Sequence, residues 1–137
     1  MKNKMRKVDY FYTMLPNRPG QGAKIMGALA AKGVDLLAFS AFPAGGKAQL
    51  DLVPADSASL TRAAKSLGIK LSVKKSGFLF QGADKVGAMR KTLDVLAAAK
   101  INVIACDAVT SGDGRFGAIF WVKPDAVAKT KKLLGAK

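Results

Sequence analysis

The sequence predicts an α+β protein made of two ferredoxin-like βαββαβ units in tandem, with antiparallel sheets and helices on one face. Three observations predict it. The chain repeats itself at a fixed offset, each copy runs strand, helix, strand, strand, helix, and proline or glycine marks most of the changes of element. Gly20 and Gly87 set the offset at 67 residues. At that offset "ALAAKGVDLLAF" overlies "VLAAAKINVIAC", with Leu29 on Leu96, Ala30 on Ala97, Val34 on Ile101 and Asp35 on Asn102. The register slips at "AGGK" against "SGDGR", as a loop insertion would, and returns where Leu67-Gly68 overlies Leu134-Gly135. Repetition at one period marks a duplicated supersecondary unit, and the copies are expected over residues 7–75 and 76–137.

The first element, "VDYFYTML", is a β-branched and aromatic run stopped by Pro16, as a strand end requires. Gly22, Met26, Leu29 and Ala30 follow at i, i+4, i+7 and i+8, and Met89, Leu93, Leu96 and Ala97 repeat the spacing. That is one helix face. "VDLLAFSAF" and "INVIACDAV" read as strands, and the turns "PAGGK" and "SGDGR" join them to "AQLDLV" and "FGAIFWV" as hairpins. A second helix follows Pro54 and Pro124, with Leu60, Ala63, Ala64 and Leu67 on one face in the first copy. "IKLSV" reads as a fourth strand leading almost directly into "GFLFQG". The second copy reaches Lys137 just after its second helix, so the second unit is expected to lack its own fourth strand. Strand-helix-strand-strand-helix-strand order gives an antiparallel sheet with both helices on one face. "FGAIFWV" and "LLAFSAF" do not alternate apolar with polar, so both faces of the sheet need cover. A partner sheet or subunit is expected to supply it, which predicts a dimer or higher homo-oligomer.

The chain has 137 residues, half of them hydrophobic, with no uninterrupted apolar run of bilayer length. This fits one ordinary domain or two very small ones. "MKNKMRKVDYFYTML" opens like a signal peptide, but Asp9 and the tyrosine and threonine hydroxyls break its apolar segment and no small-residue cleavage site follows. Cys106 is the single cysteine, which rules out an intramolecular disulfide and points to a cytoplasmic address with no membrane association. Lys and Arg number 23 against 9 aspartates and no glutamate, for a net charge of +14. Such a charge suits polyanions or acidic ligands. The cations lie in short scattered blocks, which read as solvated surface, and nucleic acid is disfavoured as a partner.

Catalysis finds little support. There is no histidine, no paired-carboxylate motif, no HExxH or CxxC, and no phosphate-binding loop. Cys106 lies mid-strand in an apolar run, where a buried thiol is expected. The reading is a protein that is not an enzyme and holds neither cofactor nor metal.

The stretch "LPNRPGQG" joins the first strand to the first helix. A loop entering a helix presents unpaired N–H groups at the positive end of the helix dipole, ready for a carboxylate or phosphate. Gly20 and Gly22 allow close approach to the main chain, Asn17 donates and accepts, and Arg18 can grip a carboxylate with two prongs. The alternative is turn chemistry alone, with Asn17 capping the helix and Pro19 in its first turn. The loop recurs as "GADKVG" in the second copy.

"NRPGQGAKIMGALAAKGVDLLAFS" resembles the opening of an ACT domain, through Asn17-Arg18-Pro19-Gly20, Leu29, Gly33 and Val34-Asp35-Leu36. The second copy is similar through Asp84-Lys85-Val86-Gly87 and Ile101-Asn102-Val103, with Val86 for the proline and Lys100 where Gly33 stands. The resemblance implies a tandem regulatory module that binds a small amino acid between ACT units and acts on a regulated protein partner. Carried across, it nominates Asn17, Arg18, Gly20, Gln21 and Gly22 with Asp84, Lys85 and Gly87 for the carboxylate, and Asp35 and Asn102 for the ammonium. A different class shares the fold: RNA-recognition motifs stack bases on strand aromatics. "GRFGAIFW" echoes their third-strand signature, with Arg115 and Ala118 departing from it. A dimerisation module without ligand is the third reading.

Overall fold

The computed structural model describes residues 3–137. Among the described residues six strands and four α-helices follow in the order β1 (Lys4–Pro16), α1 (Gln21–Ala31), β2 (Leu36–Ala44), β3 (Lys47–Pro54), α2 (Ser57–Leu67), β4 (Lys75–Ala83), α3 (Arg90–Ala98), β5 (Val103–Thr110), β6 (Arg115–Val122) and α4 (Val127–Leu134). Contacts divide them into an N-terminal unit, Asp9–Lys75, and a C-terminal unit, Ser76–Lys137 joined by the stretch up to Val8. These are two ferredoxin-like units of an α+β antiparallel fold.

In the N-terminal unit the strand order is β2-β3-β1. Phe11 pairs with Leu52 and Thr13 with Leu50 across β1 and β3, and Phe39 pairs with Leu52 across β2 and β3. Alternation along the strands sends Phe11, Leu15, Leu50 and Leu52 to the helix side, where Leu29 of α1 and Leu60 and Ala63 of α2 close the core. Gly45 and Gly46, both at positive φ (57° and 78°), make the tight turn from β2 to β3, as a two-residue hairpin needs. Asp56 caps α2 by accepting from the Ala58 N–H at 3.1 Å.

The segment expected as a fourth strand here is not one. Residues 69–73 run beside β1, where the Ser72 N–H donates to the Tyr12 carbonyl at 2.8 Å. The return bond goes from the Tyr12 N–H to the Ser72 hydroxyl at 2.9 Å, and the Thr13 hydroxyl takes the Lys70 carbonyl at 2.9 Å. Two side-chain hydroxyls occupy groups that a ladder would use, so regular pairing is lost.

In the C-terminal unit the order is β1-β4-β6-β5, with residues 4–8 of β1 beside β4. The Asn3 side chain accepts from the Ala83 N–H at 3.3 Å, and the Lys137 N–H donates to the Met5 carbonyl at 3.3 Å. The N-terminal stretch therefore fills the fourth-strand position that this unit lacks. Phe78 stacks on Phe120, and Phe80 meets Phe116 edge-on, each with centroids 5.4 Å apart. Leu96 and Ile101 close this core.

The helix faces are turned by about one residue from the sequence expectation. In α3 the buried residues are Thr92 and Leu96, while Leu93 and Ala97 are exposed. In α1, Ile25 and Met26 accompany Leu29 at the core and Ala30 is exposed. Leu29 and Leu96 point straight at the sheet, and the residues stacked over them one turn earlier share the contact. Leu67 is half-exposed, leaving α2 seated on Leu60, Ala63 and Ala64.

Within the single chain, β3 and β6 are buried on both faces: Asp51 and Val53 as well as Leu52, Ile119 and Trp121 as well as Phe120. The expected need for cover therefore does not arise at β6, but it stands at the outer strand β2, where Leu37, Phe39 and Phe42 are exposed, and β5 joins it with Ile104 and Val109. Cys106, expected buried, is also exposed on β5, because a terminal strand of the sheet has a neighbour on one side only. Partial desolvation and, secondly, Asp107 raise its thiol above the ordinary range. No helix among the described residues is long and apolar enough to cross a membrane.

Candidate functional site

Pro16 ends β1, and the Arg18 N–H donates back to the Pro16 carbonyl at 2.9 Å. This three-residue turn around Asn17 folds Arg18 back along the strand it follows. The N-cap of α1 is Gly20, left-handed at φ 87°, with no side-chain cap. Asn17 is therefore not the cap that turn chemistry alone would make it. The first helical bond runs from the Lys24 N–H to the Gly20 carbonyl at 3.0 Å. The Gly22 and Ala23 N–H groups have no protein partner among the described residues, as the opening turn of a helix leaves them.

Beside this turn lies a cleft of about 410 Å³ lined by Met14, Leu15, Pro16, Asn17, Arg18, Gly46 and Lys47. Of the nominated residues it gathers Asn17 and Arg18. Gly20, Gln21 and Gly22 open α1 outside its wall, and Asp35 lies exposed at the entry to β2, its carbonyl accepting from the Ala55 N–H at 2.9 Å. Lys47 is the residue that sequence reasoning missed. It is β3's partner for Pro16 in the strand register, so a hairpin alignment of β1 against β3 would have placed it here.

A second cavity of about 590 Å³ shares Met14, Leu15 and Lys47 with the first and runs on to Ile25 and residues 68–72. Tyr12 sends its N–H and carbonyl to Ser72, so Met14, two residues on, turns its main-chain polar groups to the same side. That side is the one where residues 68–70 fail to pair.

The matching loop of the C-terminal unit is more self-contained. The Asp84 N–H donates to the Gly114 carbonyl at 2.9 Å, Ala88 to Lys85 at 3.1 Å, and Arg90 to Gly87 at 2.9 Å. Asp84, Lys85, Gly87 and Asn102 are all exposed. Asp113 accepts from the Ser111 hydroxyl and, at 3.2 Å, from the Arg115 N–H. The Ser111 bond, ahead of the others, holds its carboxyl below the ordinary value. This unit's cavity lies between β1, α3 and α4, about 320 Å³ lined by Asn3, Met5, Phe80, Lys91, Thr92, Val95 and residues 133–135.

No group of three or more histidine, cysteine or acidic side chains able to hold a metal occurs among the described residues. The cleft offers cations, an amide and main-chain groups, which serve binding. The third-strand aromatics do not form an open base-stacking platform: Phe116 and Phe120 are buried on the helix side, and Trp121, on the opposite face, is buried as well.

No protein-family model matches the sequence, and no curated protein resembles it in sequence. Solved structures do share its fold. Protein BT0572 from Bacteroides thetaiotaomicron superposes with a TM-score of 0.81 at 14% identity, over 96% of this chain and 88% of that one. The ligand-free regulatory subunit of aspartate kinase from Thermus thermophilus gives 0.65 at 14% identity, over 98% and 95%. The corresponding subunit from Thermus flavus gives 0.61 at 13%, over 98% and 94%. This chain thus shares its fold with those two subunits along nearly their whole length.

Proposed function

We propose that this chain is a regulatory sensor that binds a small amino acid through the loop after β1 and passes the bound state to a protein partner. The observation that carries the reading is the cleft at Asn17 and Arg18, at the loop where the ACT resemblance places its ligand. The fold shared with regulatory subunits of aspartate kinase supports it. Gly20, Gln21 and Gly22 would supply main-chain donors, with Asp35 or Asn102 on the ammonium and Asp84, Lys85 and Gly87 forming the weaker second loop. The exposed apolar residues of β2 and β5 support a homodimer, since an outer strand with free main-chain groups recruits another chain. A ligand shifts such an assembly only by its difference in affinity between two states.

A thermal-shift panel of the twenty common amino acids tests this. Stabilisation by one or two of them, abolished in Arg18→Ala and reduced in Asp35→Ala, is the expected result. A protein that melts cooperatively and shifts with none of them overturns the sensor and leaves a dimerisation scaffold.

A further inference from the structure

We propose that the cleft of the N-terminal unit is selective for a ligand carrying two carboxylates, an acidic amino acid in the first instance. The amino-acid part of this rests on the function proposed above; the two-carboxylate part rests on the charges of the cleft wall. Arg18 and Lys47 both line it, and no acidic residue does. Lys47 stands opposite Pro16 in the strand register, and Arg18 is folded back onto Pro16 by the turn. The adjoining cavity adds Lys70 and again no acid. Among the described residues Arg18 and Lys47 have no ion-pair partner. Like charges gathered on one wall without a counter-charge favour an anion there.

The C-terminal unit provides an internal control. At the 67-residue offset Lys85 replaces Arg18, and Arg115, opposite Ala83, replaces Lys47. There the chain supplies its own acids. Asp84 stands where Asn17 does, and Asp113 sits in the turn beside Arg115, whose charge helps lower its carboxyl. In the N-terminal unit the matching positions are Asn17 and the Gly45-Gly46 turn, both neutral. One unit sets an aspartate close in sequence to each of its two cations, and the other sets none there.

A neutral amino acid brings one carboxylate and an ammonium that the cations repel. An acidic amino acid places its second carboxylate between Arg18 and Lys47. Its α-carboxylate and ammonium then fall to the groups proposed above, the main-chain donors of the loop and Asp35, with the main-chain N–H and carbonyl of Met14 beside them on the cleft wall. Charge-assisted bonds of this kind are the strong ones.

Calorimetric titration with aspartate, glutamate, asparagine, glutamine and succinate, on the full chain, tests the proposal. The acids are expected to bind about tenfold or more tightly than their amides. Lys47→Met should bring that ratio close to one, and Asn17→Asp, which copies the other unit's acid, should weaken acid binding by a similar factor. Amides binding as tightly as acids, or a preference that survives Lys47→Met, overturns the selectivity while leaving an amino-acid sensor standing. Succinate bound as tightly as aspartate, with no neutral amino acid bound, upholds the two-carboxylate site and removes the amino-acid reading. Silence from all five ligands removes both.

Discussion

In the N-terminal unit the free side of β1 is bordered by residues 69–73, held by one main-chain bond and two hydroxyls around Tyr12 and Thr13. In the C-terminal unit the corresponding side of β4 is closed by residues 4–8, with Met5 inserted among Phe78, Phe80 and Phe120. The cavities follow this difference. Each lies between the unit's first strand, its first helix and the fourth-strand position, with Thr13, Ile25 and Gly68 in one and Phe80, Thr92 and Gly135 in the other. Where the border is irregular the space is about 590 Å³, and where a strand fills it about 320 Å³. Regular pairing closes a unit, and irregular pairing keeps room beside a loop that carries charge.

The largest blow to the comparison is to remove the closing strand. Deleting residues 1–8 strips Met5 from two clusters and uncovers β4, and is expected to cost about 3–5 kcal/mol in urea denaturation. A loss under about 1 kcal/mol would mean that residues 4–8 are not integral to the C-terminal unit. Ser72→Ala acts on the other border. It removes the acceptor of the Tyr12 N–H and should cost about 1 kcal/mol, with faster hydrogen exchange at Tyr12 in NMR. Unchanged exchange there would show that the hydroxyl is not what holds this segment.

A gain of similar size is expected where the copies differ by one residue. Gly33 and Lys100 occupy the same place after the first helix, at φ 74° and 59°. Glycine accepts that conformation and lysine is strained in it, so Lys100→Gly should stabilise the fold by about 1 kcal/mol. The smallest effect concerns the β5–β6 turn. Asp113 has its carboxyl lowered first by Ser111. Its contribution is present above the ordinary carboxylate range and fades as pH falls through its lowered folded value. NMR titration should place its midpoint below the ordinary aspartate value, and Ser111→Ala should move it upward.

Much of the fold is legible in the residues. The duplication, the hairpin turns at Gly45-Gly46 and Gly112 to Gly114, and the cores around Leu29, Leu60 and Leu96 follow from spacing, because apolar periodicity and positive-φ glycines act within a few residues of themselves. The helix faces were harder, since Ile25 and Thr92 are selected by where the sheet lies rather than by neighbours in sequence. Cys106 reads as core from its apolar company, yet it lies exposed on an outer strand, and strand order is not a local property. Of the site, Asn17 and Arg18 are legible as a turn motif, whereas Lys47 enters only through the pairing of β1 with β3.

The sequence by itself determined the two-unit plan, the order of elements and an excess of cations, since each rests on residue type and short-range spacing. Only the tertiary structure decided that residues 4–8 complete the C-terminal unit while residues 69–73 stop short of completing their own. That choice sets strand pairings across about seventy residues of chain. It depends on which main-chain groups are left free after the side-chain hydroxyls have taken theirs, and spacing along the sequence carries no record of that competition.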